Sequence, residues 1–326
     1  MKDIFGISLN LFKLDYFRKF FYIVPKVPRQ VNIEATNKCN LNCKMCKRGE
    51  LKIKPTDIDF EKYTQIVDML PKGVKEISFG SYGESFMHPK IYDMIKYAKQ
   101  KGFEISITTN GFSFIDEKNR KKLLDTGIDV LRVSIEEITP GSNKAHPYSE
   151  KLLKSMEKLA NERNKCGAHT EFTELYFNTV VNLGNYDQII TLIKYAEKIG
   201  FDCVELIHLD KKSNKIYEYL PMKKEIELYK QIKKMNFKIK VTSLYDRYIG
   251  IRRFAFRNMK YCPFTYDVCH VTVDGDVTPC CFGLPRHKIG NIFNDSLLNI
   301  WNGKAFKRFR KNQRMVCDGC TLMRFD

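Results

Sequence analysis

The chain has 326 residues, of which 43% are hydrophobic and 29% are charged. This composition excludes a globally disordered or fibrous protein, and no apolar run approaches the ~18 residues that a membrane span needs. The formal net charge of +18 indicates acidic partners such as phosphate groups, nucleic acid or an anionic membrane, or else a solvated lysine-rich surface. No secretory signal opens the chain, so we expect a cytoplasmic protein.

Aromatic and aliphatic side chains alternate with lysine and arginine in the first 30 residues. Such a pattern is typical of a basic helix on a membrane surface, and also of a helix packed against the open side of a barrel. We therefore treat residues 1–30 as a separate segment for which peripheral membrane contact stays open.

Strand-like and helix-like segments alternate from residue 31 to residue 209. The predicted strands are residues 31–36, 74–80, 103–109, 128–135, 171–182 and 202–209. The predicted helices between them are residues 57–70, 88–101, 117–125, 148–165 and 186–199. This alternation predicts a parallel sheet with right-handed crossovers, either open or closed as a barrel. In both architectures the reactive loops follow the carboxyl ends of the strands.

The pattern changes after residue 210. Residues 211–235 are rich in lysine and are predicted to be helical, and from residue 260 the chain is glycine-punctuated and rich in cysteine. We place a domain boundary near residues 245–260. Residues 31–245 then form the strand–helix domain, and residues 246–326 form a small module held by a metal.

Eleven cysteines in a chain expected to be cytoplasmic indicate metal or redox chemistry rather than disulfides. Cys39, Cys43 and Cys46 follow the first predicted strand with the spacing Cys-x3-Cys-x2-Cys. Three thiolates are one fewer than a closed zinc site uses, and they suit a 4Fe–4S cluster with one open iron. A zinc site completed from elsewhere in the chain is the alternative.

This spacing, its place after the first strand and the hydrophobic Met45 before the third cysteine resemble the signature of the radical S-adenosylmethionine (SAM) superfamily. The resemblance covers about residues 30–210 and implies an α/β fold, a partial (β/α)6 TIM-like barrel. It also implies that the open iron chelates SAM. The reduced cluster would cleave SAM to a 5′-deoxyadenosyl radical that abstracts a substrate hydrogen. A reducing partner such as flavodoxin or ferredoxin is implied as well.

Later strand ends resemble the SAM-facing turns of this superfamily. Residues 79–89, FGSYGESFMHP, are similar to its Gly-Gly-Glu region, although Ser81 and Tyr82 precede the glycine and Ser85 replaces a frequent proline. Glu136 stands where aspartate is usual. The resemblance implies as SAM contacts Met45, Gly83, Glu84, Asn110, Ser134 and Asn182.

A second group of cysteines occupies the tail. Cys262 and Cys280 lie in the pattern Cys-x12-Gly-x4-Cys, and the dipeptide Asp274-Gly275 predicts a two-residue hairpin turn that brings both cysteines to the same end. A Cys-x2-Cys pair follows at residues 317 and 320, and residues 289–310 predict a turn and one helix anchored by Trp301.

These elements resemble the SPASM and twitch modules of radical SAM enzymes. The resemblance implies one auxiliary 4Fe–4S cluster with the ligands Cys262, Cys280, Cys317 and Cys320. The single-cluster pattern is similar to a radical SAM dehydrogenase of the butirosin pathway, which oxidises an aminocyclitol alcohol. Cys269 and Cys281 are either substitute ligands or core thiols of the hairpin, and a four-cysteine zinc site is the alternative for the tail.

A fully ligated cluster suits electron transfer, so the main hypothesis is a radical-initiated oxidation of a sugar-like or cyclitol-like substrate. A small molecule that is phosphorylated or nucleotide-linked would suit the basic charge. The reaction needs a proton acceptor, and Glu137, Glu205 and His208 are the candidates.

Three other functions stay open. A redox-neutral epimerase would use Tyr82, Cys269 or Cys281 as hydrogen donor, and a maturase or crosslinking enzyme would act on a ribosomal peptide. The non-enzyme alternative is a zinc-stabilised nucleic-acid-binding protein. No recognised nucleic-acid module is present in the sequence, so we expect no specific nucleic acid partner.

Overall fold

The computed structural model describes residues 24–49, 54–139, 149–165, 173–209, 220–243, 262, 264–280, 287–317 and 320. Most of the amphipathic segment 1–30, the predicted boundary at 245–260 and Cys281 lie outside the described residues. None of the helices in these ranges is long and apolar enough to cross a membrane.

Within the described residues, ten strands form one sheet in the order β10-β9-β8-β1-β2-β3-β4-β5-β6-β7. The strands are β1 (Gln30–Ile33), β2 (Glu76–Phe79), β3 (Glu104–Thr109), β4 (Val130–Ser134), β5 (Glu174–Val181), β6 (Cys203–His208), β7 (Lys240–Ser243), β8 (Val268–Val271), β9 (Asp276–Thr278) and β10 (Gly290–Asn291). All pairings from β8 through β1 to β7 are parallel. The predicted α/β class and partial barrel are therefore confirmed.

Helices connect the parallel strands. They are α1 (Phe60–Asp68), α2 (Ile91–Gln100), α3 (Glu117–Leu124), α4 (Glu150–Lys165), α5 (Ile189–Lys198) and α6 (Met222–Lys234). The Asp59 side chain caps α1 by accepting the backbone N–H groups of Glu61 and Lys62. Asp59 is thus the N-cap residue of α1, since its carboxylate satisfies two otherwise unpaired N–H groups.

Side chains alternate between two faces of the strands. On one face, Phe79 contacts Tyr63 of α1 with ring centroids 5.8 Å apart, and Phe177 contacts Tyr195 of α5 at 6.4 Å. We call the opposite face the lumen face. Its in-register residues include Asn32, Ser78, Ser106, Thr108, Arg132, Ser134, Asn178 and Glu205. A closed TIM barrel fills this space with bulky branched side chains, so the polar lumen face is suited to a ligand.

The cysteine-rich tail continues the barrel sheet. β8 pairs with β1 in parallel, with Val31 opposite Cys269 and Ile33 opposite Val271. Through the hairpin β8–β9, the tail therefore shares main-chain hydrogen bonds with the barrel. β7 is a further parallel strand that the sequence did not predict.

The hairpin turn between β8 and β9 has three residues rather than two. Thr272 donates its N–H to the Asp276 carbonyl at 3.0 Å, and Gly275 donates to the Thr272 carbonyl at 2.9 Å. Gly275 has φ +80°, which is typical of a turn that ends in a left-handed residue. The hairpin itself and the requirement for glycine were predicted correctly.

The described part of the tail contains four short helices, α7 (Phe264–Asp267), α8 (Leu297–Asn302), α9 (Lys304–Lys311) and α10 (Gln313–Val316). The single helix predicted up to residue 310 is wrong, because the chain breaks at Gly303 between α8 and α9. Trp301 is the predicted anchor: its Nε1 donates to the Pro25 carbonyl at 2.8 Å, which fixes the tail to the segment before β1.

Candidate functional site

Cys39, Cys43 and Cys46 lie together on the loop that follows β1, and all three are half-buried. The Cys46 N–H donates to the Cys43 carbonyl at 2.9 Å, which closes a turn between them. Burial, together with the charges of Cys46 and Cys39, raises the pKa of Cys43 to about 12. The three sulfurs are thus close enough to interact. Iron binding would remove their protons, so this donor set fits an iron–sulfur cluster.

Hydrogen bonds and one ion pair hold the start of the cysteine loop against residues 54–57. The Asn37 side chain accepts the Thr56 N–H at 2.6 Å and donates to the Lys54 carbonyl at 3.1 Å. The Lys38 ammonium contacts the Asp57 carboxylate at 2.6 Å, and Thr36 donates to the same carboxylate at 2.6 Å. These bonds orient the loop before any cofactor binds.

Glu84 connects the ends of β2 and β3 to this loop. Its buried carboxylate accepts the Asn110 N–H at 2.7 Å and the Thr109 hydroxyl at 2.8 Å, and its own N–H donates to the Lys38 carbonyl at 2.7 Å. Asn110 in turn donates from Nδ2 to Oδ1 of Asn40, next to Cys39, at 2.8 Å. The predicted SAM contacts Glu84 and Asn110 therefore lie in one network with the cysteine loop.

Gly83 packs against the backbone at the start of the cysteine loop. A Cβ at this position would lie 1.9 Å from the Thr36 carbonyl oxygen and 2.9 Å from the Asn37 Cα. No side chain fits, so the close approach of two backbones requires glycine here. Gly83 is thereby adjacent to the loop, as the SAM-binding prediction needs.

The ends of β4 and β5 form the next part of the site. Ser134 is half-buried on the lumen face, whereas Glu136 is buried and accepts the Val180 N–H at 2.7 Å. Burial raises the pKa of Glu136 to about 8, with Glu137 adding to the effect. The Asn182 side chain accepts the Gly184 N–H at 2.8 Å and donates to Val180, so it stabilises the turn after β5.

The remaining predicted residues near the strand ends differ in burial. Met45 on the cysteine loop and Tyr82 after β2 are half-buried, and Glu137 after β4 is buried. Their roles as SAM contact, hydrogen donor and proton acceptor stay predictions.

Two of the predicted acid–base residues lie on opposite faces of β6. Glu205 is on the lumen face, where it accepts from Arg132 at 3.1 Å, and the Arg132 guanidinium lies 5.3 Å from the Tyr176 ring centre. His208 faces the helices instead, with its Nδ1 3.0 Å from the Glu225 carboxylate of α6. This direction argues against His208 as the acceptor of a proton from a substrate on the lumen face, since side chains three residues apart on a strand point to opposite sides.

The tail cysteines form a second group. Burial raises the pKa of Cys262, and the nearby Cys280, Cys320 and Cys317 raise it further. The Cys262 N–H donates to the Gln313 side chain at 2.9 Å, and the Cys320 N–H donates to the Cys317 carbonyl at 3.0 Å. Four thiols that interact electrostatically fit the ligand set of one fully ligated cluster.

The Cys269 side chain does not face the lumen. It is fully buried opposite Val31 on the helix-covered face, and burial raises its pKa to about 12. This placement matches a core thiol of the hairpin. It argues against Cys269 as a hydrogen donor to a substrate on the lumen face.

The two cysteine groups lie towards opposite ends of the β1–β8 strand pair. Cys39 follows the carboxyl end of β1, whereas Cys262 precedes β8 and Cys280 follows the returning strand β9. Because β1 and β8 are parallel neighbours, the tail cysteines lie beyond the amino end of this pair.

Several site residues were not identified from the sequence: Asn37, Asn40, Arg132 and Glu34. Glu34 is buried at the end of β1, and its carboxylate accepts the Val273 N–H of the hairpin turn at 3.4 Å. The alternation of polar residues along β1 and β4 was the available signal, since a polar side chain every second residue marks a solvated face.

The family model of the radical SAM superfamily matches residues 33–170, and that of the iron–sulfur cluster-binding domain SPASM matches residues 262–321. A tungsten-containing aldehyde ferredoxin oxidoreductase cofactor-modifying protein of Pyrococcus furiosus is 27% identical over 314 residues, 89% of this chain and 86% of the relative.

Two solved structures share the fold. SuiB of Streptococcus suis bound to the precursor peptide SuiA has a TM-score of 0.69 at 18% identity, over 99% of this chain and 78% of that one. BtrN in complex with AdoMet and 2-DOIA has a TM-score of 0.56 at 18% identity, over 92% of this chain and 96% of that one.

Proposed function

We propose, from the premise that this chain belongs to the radical SAM superfamily and carries a SPASM domain, that it catalyses a radical-initiated two-electron oxidation. The observation that supports the proposal most is the placement of the two cysteine groups towards opposite ends of the β1–β8 strand pair, which borders the polar lumen face. A substrate on that face would lie between the site of radical formation and an electron acceptor.

When bound, the clusters and SAM would supply the 5′-deoxyadenosyl radical at one end and a one-electron acceptor at the other. Cys39, Cys43 and Cys46 would hold the first cluster, and the Glu84–Asn110 network would keep their loop in place. The residues proposed to contact SAM are Met45, Gly83, Glu84, Asn110, Ser134 and Asn182. Cys262, Cys280, Cys317 and Cys320 would hold the auxiliary cluster.

The lumen face would position the substrate. Arg132 and Glu205 offer a cation and an anion side by side, with side chains 27% and 34% exposed, and Tyr176 adds an aromatic surface. After hydrogen abstraction leaves a carbon radical, loss of one proton and one electron gives a carbonyl or a double bond. We propose Glu205, with Glu137 as the alternative, as the group that accepts the proton.

Two substrate classes agree with this chemistry. A sugar-like or cyclitol-like alcohol is supported by the likeness to BtrN, whose complex contains 2-DOIA. A peptide is supported by the likeness to SuiB, which binds a precursor peptide. A redox-neutral epimerisation would need Tyr82 or Cys281 as hydrogen donor, because Cys269 faces away from the lumen.

The decisive experiment counts iron and sulfide per chain after anaerobic purification. We expect about eight irons in the wild type and about four in Cys317→Ala/Cys320→Ala, with SAM cleavage retained by the variant. Cys203→Ala, which removes a buried cysteine outside both groups, is the control and should keep about eight. About four irons in all three proteins, with zinc bound, would contradict the auxiliary cluster and favour a redox-neutral reaction.

The substrate class is tested by the rate of 5′-deoxyadenosine formation. A panel of cyclitols and sugar phosphates is compared with a panel of short peptides. For each compound, the rate of 5′-deoxyadenosine formation without substrate is subtracted. Stimulation by the first panel with an oxidised product supports the dehydrogenase. Stimulation by peptides alone supports the second class.

A further inference from the structure

Arg310 of α9 is a cation buried in the SPASM domain, with only 3% of the residue exposed. Its Nε donates to the Thr265 carbonyl at 2.9 Å, and its Nη1 donates to the Trp301 carbonyl at 2.9 Å. Three aromatic rings surround the guanidinium: Phe306 at 3.9 Å, Trp301 at 4.1 Å and Tyr266 at 5.9 Å.

No carboxylate in the described part of the chain forms an ion pair with Arg310, and its Nη2 has no hydrogen-bond partner there. Burial lowers the pKa of Arg310 to about 10, so the side chain stays charged at neutral pH. Carbonyl groups and aromatic faces offset part of the cost of burying this charge. A buried charge normally also has an anionic partner, because its desolvation is expensive.

Buried arginines elsewhere in this chain have such partners. Arg120 lies 2.8 Å from the Glu162 carboxylate, and Arg163 pairs with Asp202. Both of these arginines are on the helices of the barrel. Arg310 therefore differs from these two buried arginines. It lies in the SPASM domain and has no carboxylate partner among the described residues.

A short chain of hydrogen bonds joins Arg310 to Cys262. Thr265 accepts from Arg310 through its carbonyl and donates from its hydroxyl to the Cys262 carbonyl at 3.0 Å. Gln313, three residues after Arg310, accepts the Cys262 N–H and donates to the Thr265 hydroxyl. The guanidinium is thus joined through Thr265 to the backbone of one of the four proposed cluster ligands, whereas the thiol on which its charge acts directly is Cys269.

We propose that Arg310 is the buried counter-ion of the auxiliary 4Fe–4S cluster and keeps its reduction potential high enough to accept the substrate electron. The inference rests on the proposed function. A 4Fe–4S cluster with four thiolate ligands is anionic, and reduction adds one negative charge. A nearby cation stabilises the reduced form more than the oxidised form, so it raises the potential.

The test is a redox titration of the anaerobically reconstituted full-length protein, followed by electron paramagnetic resonance. Arg310→Gln removes the charge, and Arg310→Lys keeps it while losing the planar donor geometry. Arg120→Gln is the matched control, since it removes a buried arginine of the barrel. We expect the auxiliary potential to fall in Arg310→Gln, to fall less in Arg310→Lys and to stay unchanged in Arg120→Gln.

If a variant loses its auxiliary cluster, its reduction potential cannot be measured, and the iron content per chain then tests the proposal. Loss of about four irons in Arg310→Gln with retention in Arg310→Lys would support the counter-ion role, because charge alone distinguishes the two. An unchanged auxiliary potential in Arg310→Gln, or equal iron loss in both variants, would overturn it. About four irons per chain in the wild type would instead contradict the proposed function. This outcome is detected before any variant is compared.

Discussion

Asn110 at the end of β3 donates from Nδ2 to Oδ1 of Asn40, at a distance of 2.8 Å, beside the first cysteine of the loop. These residues are 70 positions apart in the sequence. The bond connects a strand of the barrel to a loop that has little regular structure of its own. Because Asn110 also accepts the Phe112 N–H at 3.0 Å, one side chain fixes both the turn after β3 and the cysteine loop.

Replacing Asn110 with alanine should loosen the cysteine loop. The substitution removes two hydrogen bonds, each of which contributes about 1 kcal/mol on average. We expect a lower free energy of unfolding and faster loss of iron from the first cluster, measured by urea unfolding and by transfer of iron to a chelator. Asn119→Ala is the control, since Asn119 donates at 2.9 Å to Ser113, away from the cysteine loop. Equal iron loss in both variants would contradict the linking role.

Gly83→Ala tests the close approach between β2 and the cysteine loop. The added Cβ would lie 1.9 Å from the Thr36 carbonyl oxygen, so one backbone must move. We expect a lower melting temperature and loss of about four irons per chain, because the displaced loop no longer presents three thiolates together. Gly80→Ala is the matched control on the same segment: its nearest contact would be 3.6 Å, an ordinary van der Waals distance. Normal iron content in Gly83→Ala would show that the loop adapts.

The strands and the two cysteine groups could be predicted from the sequence because both are local patterns. Alternating strand and helix segments gave β1 to β6, and the short cysteine spacings gave the two ligand groups. The pairing of β8 with β1 could not be predicted, because the partners Val31 and Cys269 are far apart in the chain and no local pattern names a partner. The burial of Arg310 could not be predicted either, since its aromatic neighbours come together only in the folded tail.

The sequence alone implies that the side chains of Glu205 and His208 point in opposite directions. Once residues 202–209 are assigned to a strand, side chains three positions apart must face opposite sides. Only the structure shows which side chain points to the lumen and which points to the helices. Here the partner of His208 is Glu225 of α6, which marks the helix-covered side.

His208→Gln and Glu205→Gln should differ in their effects on stability. The His208–Glu225 pair is buried, so losing it leaves a carboxylate without its partner and should lower the free energy of unfolding by roughly 1–3 kcal/mol. The Arg132–Glu205 pair is about one-third exposed, so its loss should cost less than about 1 kcal/mol. Urea unfolding of the two variants beside the wild type measures both values. The reverse order would mean that Glu205, not His208, is the buried structural residue.

His270 should make the stability of the protein depend on pH. It lies in β8 between Asn32 and Thr278, and burial lowers its pKa from 6.5 to about 4. The unfolded chain therefore binds a proton that the folded chain does not bind between these values. Stability is complete above about pH 6.5 and falls as the pH drops towards 4, by roughly 3 kcal/mol over the full range.

The comparison with His270→Gln isolates this effect from other titrating groups. Glutamine does not titrate, so the variant should lose less unfolding free energy than the wild type between pH 7 and pH 5, whatever its stability at pH 7. Urea unfolding at several pH values in this range gives the two slopes. Identical slopes would show that the His270 ring takes up its proton in the folded protein as readily as in the unfolded chain.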